Sequence, residues 1–206
     1  MLFRSLLEMG QFDRVDGLIT PALATCERFG DVRGQIWAEQ VLCSALSERG
    51  HTRAALERRQ ARVAGINSHD GVQHEKAGVL AHMAENLLDL GRLDEAIEAA
   101  EMAVKQAQSI ANGQELGYAY MVLGASLARS GPDARAHGDE LLDRSVEVFR
   151  EFGAAIDEGR AHLKIAMERA RRGDRERSEE ERRLAQSLFA DCGAEFLLKR
   201  SYDFAP

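Results

Sequence analysis

Glycine recurs in this chain at a spacing that leaves few folds available to it. Gly91 sits in "LLDLGRLDEA", between two amphipathic runs. Similar settings surround Gly10 ("LLEMGQFDRV"), Gly50 ("ALSERGHTRAAL"), Gly131 ("LARSGPDARA") and Gly173 ("ERARRGDRER"). These positions are 40, 41, 40 and 42 residues apart. A second series, Gly30, Gly71, Gly113, Gly153 and Gly193, runs between them at intervals of 41, 42, 40 and 40. Two interleaved turn series with one period predict two helices per repeat, each roughly 15 to 18 residues and ~25 Å long. Self-similarity at a fixed period is the mark of a solenoid.

Small residues occupy fixed places in this repeat. Seven positions before each glycine of the first series stand Phe3, Cys43, Ala84, Gly124 and Ala166. Five after it come Val15, Ala55, Ala96, Ala136 and Ser178. Large apolar residues flank them: Leu2, Leu42, Met83, Leu123 and Ile165 at eight before, and Leu6, Leu46, Leu87 and Leu127 at four before, where Arg169 breaks the pattern. Small side chains let antiparallel helices cross closely while the large ones fill the flanks. In the fourth repeat, "SGPDARAHGDELL" holds two extra residues, which puts either Ala136 or Gly138 at the crossing.

The run from Ala84 to Ala96, "AENLLDLGRLDEA", resembles the small–large–glycine–alanine pattern of the tetratricopeptide (TPR) family, and the same skeleton covers almost the whole chain. The resemblance implies an all-α, right-handed α-solenoid of antiparallel helix pairs. About five repeats are expected, at roughly 1–30, 31–71, 72–113, 114–153 and 154–193, the first truncated, with a short capping helix within 194–206. The 40- to 42-residue period exceeds the family's common ~34 and is similar to the longer repeats of kinesin light chains and bacterial signalling ATPases. No proline closes each repeat, since Pro21, Pro132 and Pro206 are the only ones. Ala100, Arg59 and Arg182 stand where the second helix often carries an aromatic, which leaves the packing there open. "LFRSLL" makes a poor polar cap for a solenoid, so the chain is expected to be a fragment of a longer protein. Phe196, Leu197 and Leu198 are expected to form a short helix over the last groove.

Composition narrows the functional classes. Twenty-seven Lys and Arg against 34 Asp and Glu give a net charge of −7, where a general nucleic-acid binder carries a basic excess. The most basic segment, Asp157 to Arg183, is salted with both signs, so nucleic acid is not expected as a partner. No apolar run approaches the ~20 residues of a membrane span, and the N-terminus lacks the features of a signal peptide. Cys26, Cys43 and Cys192 are odd in number and far apart, which points to a reducing, cytoplasmic setting without a disulfide frame or thiolate zinc site.

Catalytic signatures fail on inspection. "HEKAG" (His74 to Gly78) begins like the zinc helix H-E-x-x-H but has Gly78 where the second ligand belongs. His82 lies eight residues beyond His74, outside the usual ligand spacing. His69, Asp70 and His74 fall in "NSHDGVQH", where turn chemistry accounts for the composition. No G-x-S-x-G elbow, Walker loop or G-x-G-x-x-G occurs. The i,i+4 pairs of "RERSEEERR" read as a solvated helix face. Neither an enzymatic activity nor a cofactor or metal is expected.

Function is expected on the inner face. In TPR arrays the first helix of each pair lines a concave groove that holds a peptide or a partner's helix. The resemblance carries that role to Trp37, Gln40 and Ser44 of the second repeat, Ala81 and Glu85 of the third, Tyr118 and Met121 of the fourth, and Arg160, Leu163 and Met167 of the fifth. Aromatics, Met and Arg tend to anchor partners, although Trp37 or Met121 could instead pack on the neighbouring pair. The lysine and asparagine clamp that holds a C-terminal carboxylate in chaperone-binding members is missing: Ser44, Glu85, Ala125 and Met167 stand at the matching positions. The expected function is a non-catalytic module that binds a protein or peptide segment within a larger bacterial-type regulatory protein. The alternative is a self-assembly scaffold, a homodimer through exposed terminal helices.

Overall fold

A computed structural model describes residues 2–67 and 70–203 of the chain. All regular structure among them is helical. The helices are α1 (Leu2–Glu8), α2 (Phe12–Phe29), α3 (Val32–Glu48), α4 (Thr52–Asn67), α5 (Lys76–Asp89), α6 (Leu93–Ser109), α7 (Gly113–Ser130), α8 (Pro132–Glu151), α9 (Ala155–Arg171), α10 (Arg175–Asp191) and α11 (Glu195–Asp203). A 3₁₀ segment, Asp70–Glu75, precedes α5. Each helix packs on the next, so the chain is an all-α helical-repeat solenoid. None of the described helices is long and apolar enough to cross a membrane.

Most of the glycine punctuation acts as the spacing predicts. Gly10, Gly30, Gly50, Gly91, Gly153, Gly173 and Gly193 take φ between 63° and 83°, which costs a glycine little and a Cβ-bearing residue more. At Gly91 the glycine N–H donates to the Leu88 carbonyl at 3.1 Å and the Arg92 N–H to Leu87 at 2.9 Å. This double closure satisfies two orphan carbonyls of the ending helix. Two glycines depart from expectation. Gly113 opens α7 instead of closing α6, and Ala111, at φ 50°, takes the left-handed position with the Asn112 N–H on the Ala107 carbonyl at 3.1 Å. Gly71 lies inside the 3₁₀ segment. His69 and Pro206 lie outside the described residues.

The small-residue positions are helix crossings. Cys43, Ala55, Ala84, Ala96, Ala166 and Ser178 are all buried. Between α7 and α8 the contact falls at Gly124 and Gly138, and Ala136 is exposed. A Cβ on Gly124 would lie 2.7 Å from the Gly138 carbonyl oxygen, and one on Gly138 2.6 Å from the Ala128 nitrogen. Gly117 and Gly159 make room in α7 and α9 for the buried rings of Phe149 and Phe189.

Two departures from a regular array shape the inner face. The first helices α5, α7 and α9 pack directly side by side, whereas the 3₁₀ segment packs among α3, α4 and α5. Its Val72 joins Ile36, Ile66 and Val79 in a small apolar cluster. The array also bends until its ends meet. Helix α11 rests on α10 and reaches α1, and the ring of Phe196 stands edge-on to Phe12 with centroids 5.1 Å apart. The expected cap over the last groove therefore lies against the first repeat as well.

Candidate functional site

The first helices of successive repeats turn their polar stripes toward a common centre, and charges from opposite sides pair across it. Arg160 of α9 faces Glu48 of α3 at 3.6 Å, and Arg200 of α11 pairs with the same carboxylate. Arg4 of α1 pairs with Asp157 of α9, whose second oxygen accepts from the Gln114 amide at 2.9 Å. Lys164 donates to Glu85 of α5 at 3.1 Å, and the Tyr118 hydroxyl donates to the other oxygen of that carboxylate. Burial alone would raise the Glu85 carboxyl, but Lys164, the Tyr118 hydrogen bond and nearby His82 and Arg160 hold it well below the usual carboxylate range. Burial and Glu85 together push the Tyr118 phenol up. The centre of the groove is thus neutralised by the chain's own side chains.

Behind this layer lies a polar centre built on Arg59 of α4. Arg59 is 2% exposed, and the four hydrogen-bond partners of its guanidinium are all neutral. It donates to Asn86 of α5, to Ser44 and Ser47 at 3.3 Å each, and to Gln40 at 3.4 Å. Ser44 and Ser47 also donate to carbonyls of their own helix, Gln40 and Cys43. Asn86 completes the set with a 2.9 Å bond to Ser47.

Two cavities of similar size lie beside the neutralised centre. One, of about 560 Å³, opens at the N-terminal ends of α3, α5 and α7. Its lining includes Trp37, Gln40, Gly78, His82 and Glu115. The His82 ring lies against Tyr118 with centroids 4.3 Å apart. Burial, helped by the charge of Arg59, lowers its pKa to about 3, so the imidazole is neutral. The other cavity, about 520 Å³, lies at the C-terminal ends of α5, α7 and α9, among Arg129, Arg135, Arg171 and Arg172. There Arg129 is paired with buried Glu168 at 2.6 Å, and Arg172 grips Asp139 through two hydrogen bonds of 2.7 and 2.8 Å.

Comparison with known proteins extends the fold. No protein-family model and no curated protein matches the sequence. Among solved structures, BtubC (BKLC) from P. vanneervenii superposes with a TM-score of 0.63 at 12% identity, covering 93% of this chain and 83% of that one. Two structures of nearly identical TPR-like repeats from a kinesin light chain of P. anserina give TM-scores of 0.51 and 0.50, each at 17% identity with 93% of both chains covered. The chain has a TPR-like repeat fold.

Within this TPR-like array the sequence-predicted site residues fall into four groups. Ala81 (0% exposed) and Met121 (1%) are core and present no surface to a partner. Gln40, Ser44, Glu85, Tyr118 and Arg160 are committed to the polar networks just described. Leu163 and Met167 are half-buried on α9, and Leu163 packs against the cluster of α10 and α11. Trp37 alone of the ten is open: 48% exposed, it meets Phe3 edge-on at 5.3 Å and borders the larger cavity. Residue offsets from the turn glycine identify a helix face but not what lies opposite it, and so they missed Glu48, Asp157, Lys164, Glu115 and Arg59. The one signal for Arg59 was its place at a position normally held by an aromatic. His74 is exposed and takes no part in the site.

Proposed function

We propose that this TPR-like array is a non-catalytic interaction module of a larger bacterial-type regulatory protein, working in the cytoplasm on a segment of a protein partner. The segment docks where the inner face is still open, at the rim formed by α3, α5 and α7. The observation behind this reading is the cavity of about 560 Å³ with the chain's single tryptophan half-exposed at its edge. Exposed aromatics beside a concave opening are favoured anchors in protein interfaces. The self-assembly alternative draws on the terminal edge "LFRSLL". There Leu6 is buried and α11 lies against α1, so part of that edge is already covered by the chain itself.

A photo-crosslinking residue at Arg33, whose largely exposed side chain lines the cavity, tests the proposal in extracts of the native host. Crosslinks that map to one contiguous segment of another protein, and that vanish on Trp37→Ala, support it. Crosslinks confined to copies of the same chain move the reading to self-assembly. Tyr118→Ala is unsuitable as a control, because Tyr118 holds the half-buried carboxylate of Glu85.

A further inference from the structure

The cavity at Trp37 has a definite chemical character. Its charged lining comprises Asp31, Glu75 and Glu115 against Arg33 alone, and Arg33 is engaged by Glu75 at 2.7 Å. Asp31 caps α3 by accepting from the Gly34 N–H at 2.9 Å. In α7 the cap is supplied by Asn112, which accepts from the Glu115 N–H at 3.2 Å. Each of these two helix starts thus has one of its free N–H groups met by its own cap. The Glu115 carboxylate is left over. It lies over the bare backbone of Gly78, where a Cβ would come within 2.8 Å of its oxygen, and among the described residues it accepts no hydrogen bond and joins no salt bridge. Burial, with Asp157 nearby, raises its pKa more than Arg4 lowers it, so its charge is only partly compensated.

We infer that this cavity takes an organic cation on an apolar stem, a guanidinium or an alkylammonium, with its charge on Glu115 and its stem or face against Trp37. Tryptophan is the side chain whose face best attracts a cation, and a guanidinium adds donors in a fixed fork that suits a carboxylate. The inference rests on the interaction reading above: in a partner segment the cation is the end of an arginine or lysine side chain. A free small-molecule cation would use the same groups.

Because Trp37 is the only tryptophan, its fluorescence reports on this cavity alone. The full chain is titrated with N-acetyl-arginine methylamide and with the citrulline analogue, a neutral isostere. The arginine probe is expected to change the emission saturably and the citrulline probe to leave it unchanged. In Glu115→Gln the arginine response weakens about tenfold, as loss of a charged hydrogen bond predicts, while thermal unfolding shows the variant still folded. Equal responses to the two probes, or an undiminished response in Glu115→Gln, overturn the inference. A displayed random-peptide library selected in parallel separates the sources of the cation. Enriched peptides that carry a basic residue and are lost on Trp37→Ala place it on a partner chain. Enriched peptides without a basic residue overturn the cation site and leave the interaction module standing. A response to the arginine probe with no enriched peptide retains the cation site, assigns it to a small molecule and removes the interaction reading.

Discussion

Arg59 shows how much a single residue of this repeat depends on its surroundings. An arginine in the second helix, where an aromatic is common, would ordinarily turn to solvent with its stem along the apolar surface. Here it is buried among Gln40, Ser44, Ser47 and Asn86 with no carboxylate in contact, and burial lowers its pKa. Neutral acceptors can hold a buried guanidinium only as a complete set, because each unmet polar group carries its own desolvation cost. Ser44 and Ser47 keep intrahelical bonds if Arg59 is removed; the side-chain amide oxygen of Asn86 loses its donor. Arg59→Met is therefore expected to destabilise the chain by about 1–3 kcal/mol, and adding Asn86→Leu to recover much of the loss. Urea unfolding of the two single variants and the double variant measures this as a coupling energy. Additive losses would show that the two side chains act independently.

At the scale of the element, the helix ends and crossings carry most of the specificity. Seven turn glycines share one closure, while Ala111 adopts it at φ 50° with a Cβ in place. Left-handed conformation costs an ordinary residue roughly 1–2 kcal/mol, so Ala111→Gly should raise the melting temperature. The α7–α8 crossing gives the opposite sign. A side chain on Gly124 would enter the Gly138 backbone and Leu142, and Gly124→Leu should cost at least about 1–3 kcal/mol through overpacking. Thermal unfolding followed by circular dichroism reads both variants. An unchanged melting temperature in Gly124→Leu would mean that α7 and α8 separate there without penalty.

At the scale of the whole molecule, the array is held in a closed curve by charges far apart in sequence. Glu48 receives Arg200, 152 residues away, and lies across from Arg160. Arg4 and Asp157 are 153 residues apart. Such pairs close the array only while attractive, and the more exposed of them weaken as salt screens them. Glu48→Lys turns both of its contacts repulsive. The expected result is a larger radius of gyration by small-angle X-ray scattering with helical content unchanged, and a smaller shift of the same kind for the wild-type chain at high salt. An identical scattering profile in Glu48→Lys would show that Phe12, Phe196 and their apolar neighbours suffice to close the ends.

The helix pairs, their period and their close crossings were legible in the sequence, because each is specified locally. A left-handed glycine or a small residue at a fixed offset acts within one turn or between adjacent helices. The exceptions fell where local signals competed. Ala111 took a turn beside Gly113, and Gly138 displaced Ala136 where two extra residues made the register ambiguous. The state of the inner face was decided only by the tertiary structure. Curvature accumulates from small rotations at every repeat, so no single stretch of sequence encodes which residues meet across the centre. That curvature brought Lys164 to Glu85 and Arg160 to Glu48, filled most of the predicted groove and buried Arg59. It left Glu115, beside the only tryptophan, with no hydrogen bond or salt bridge among the described residues.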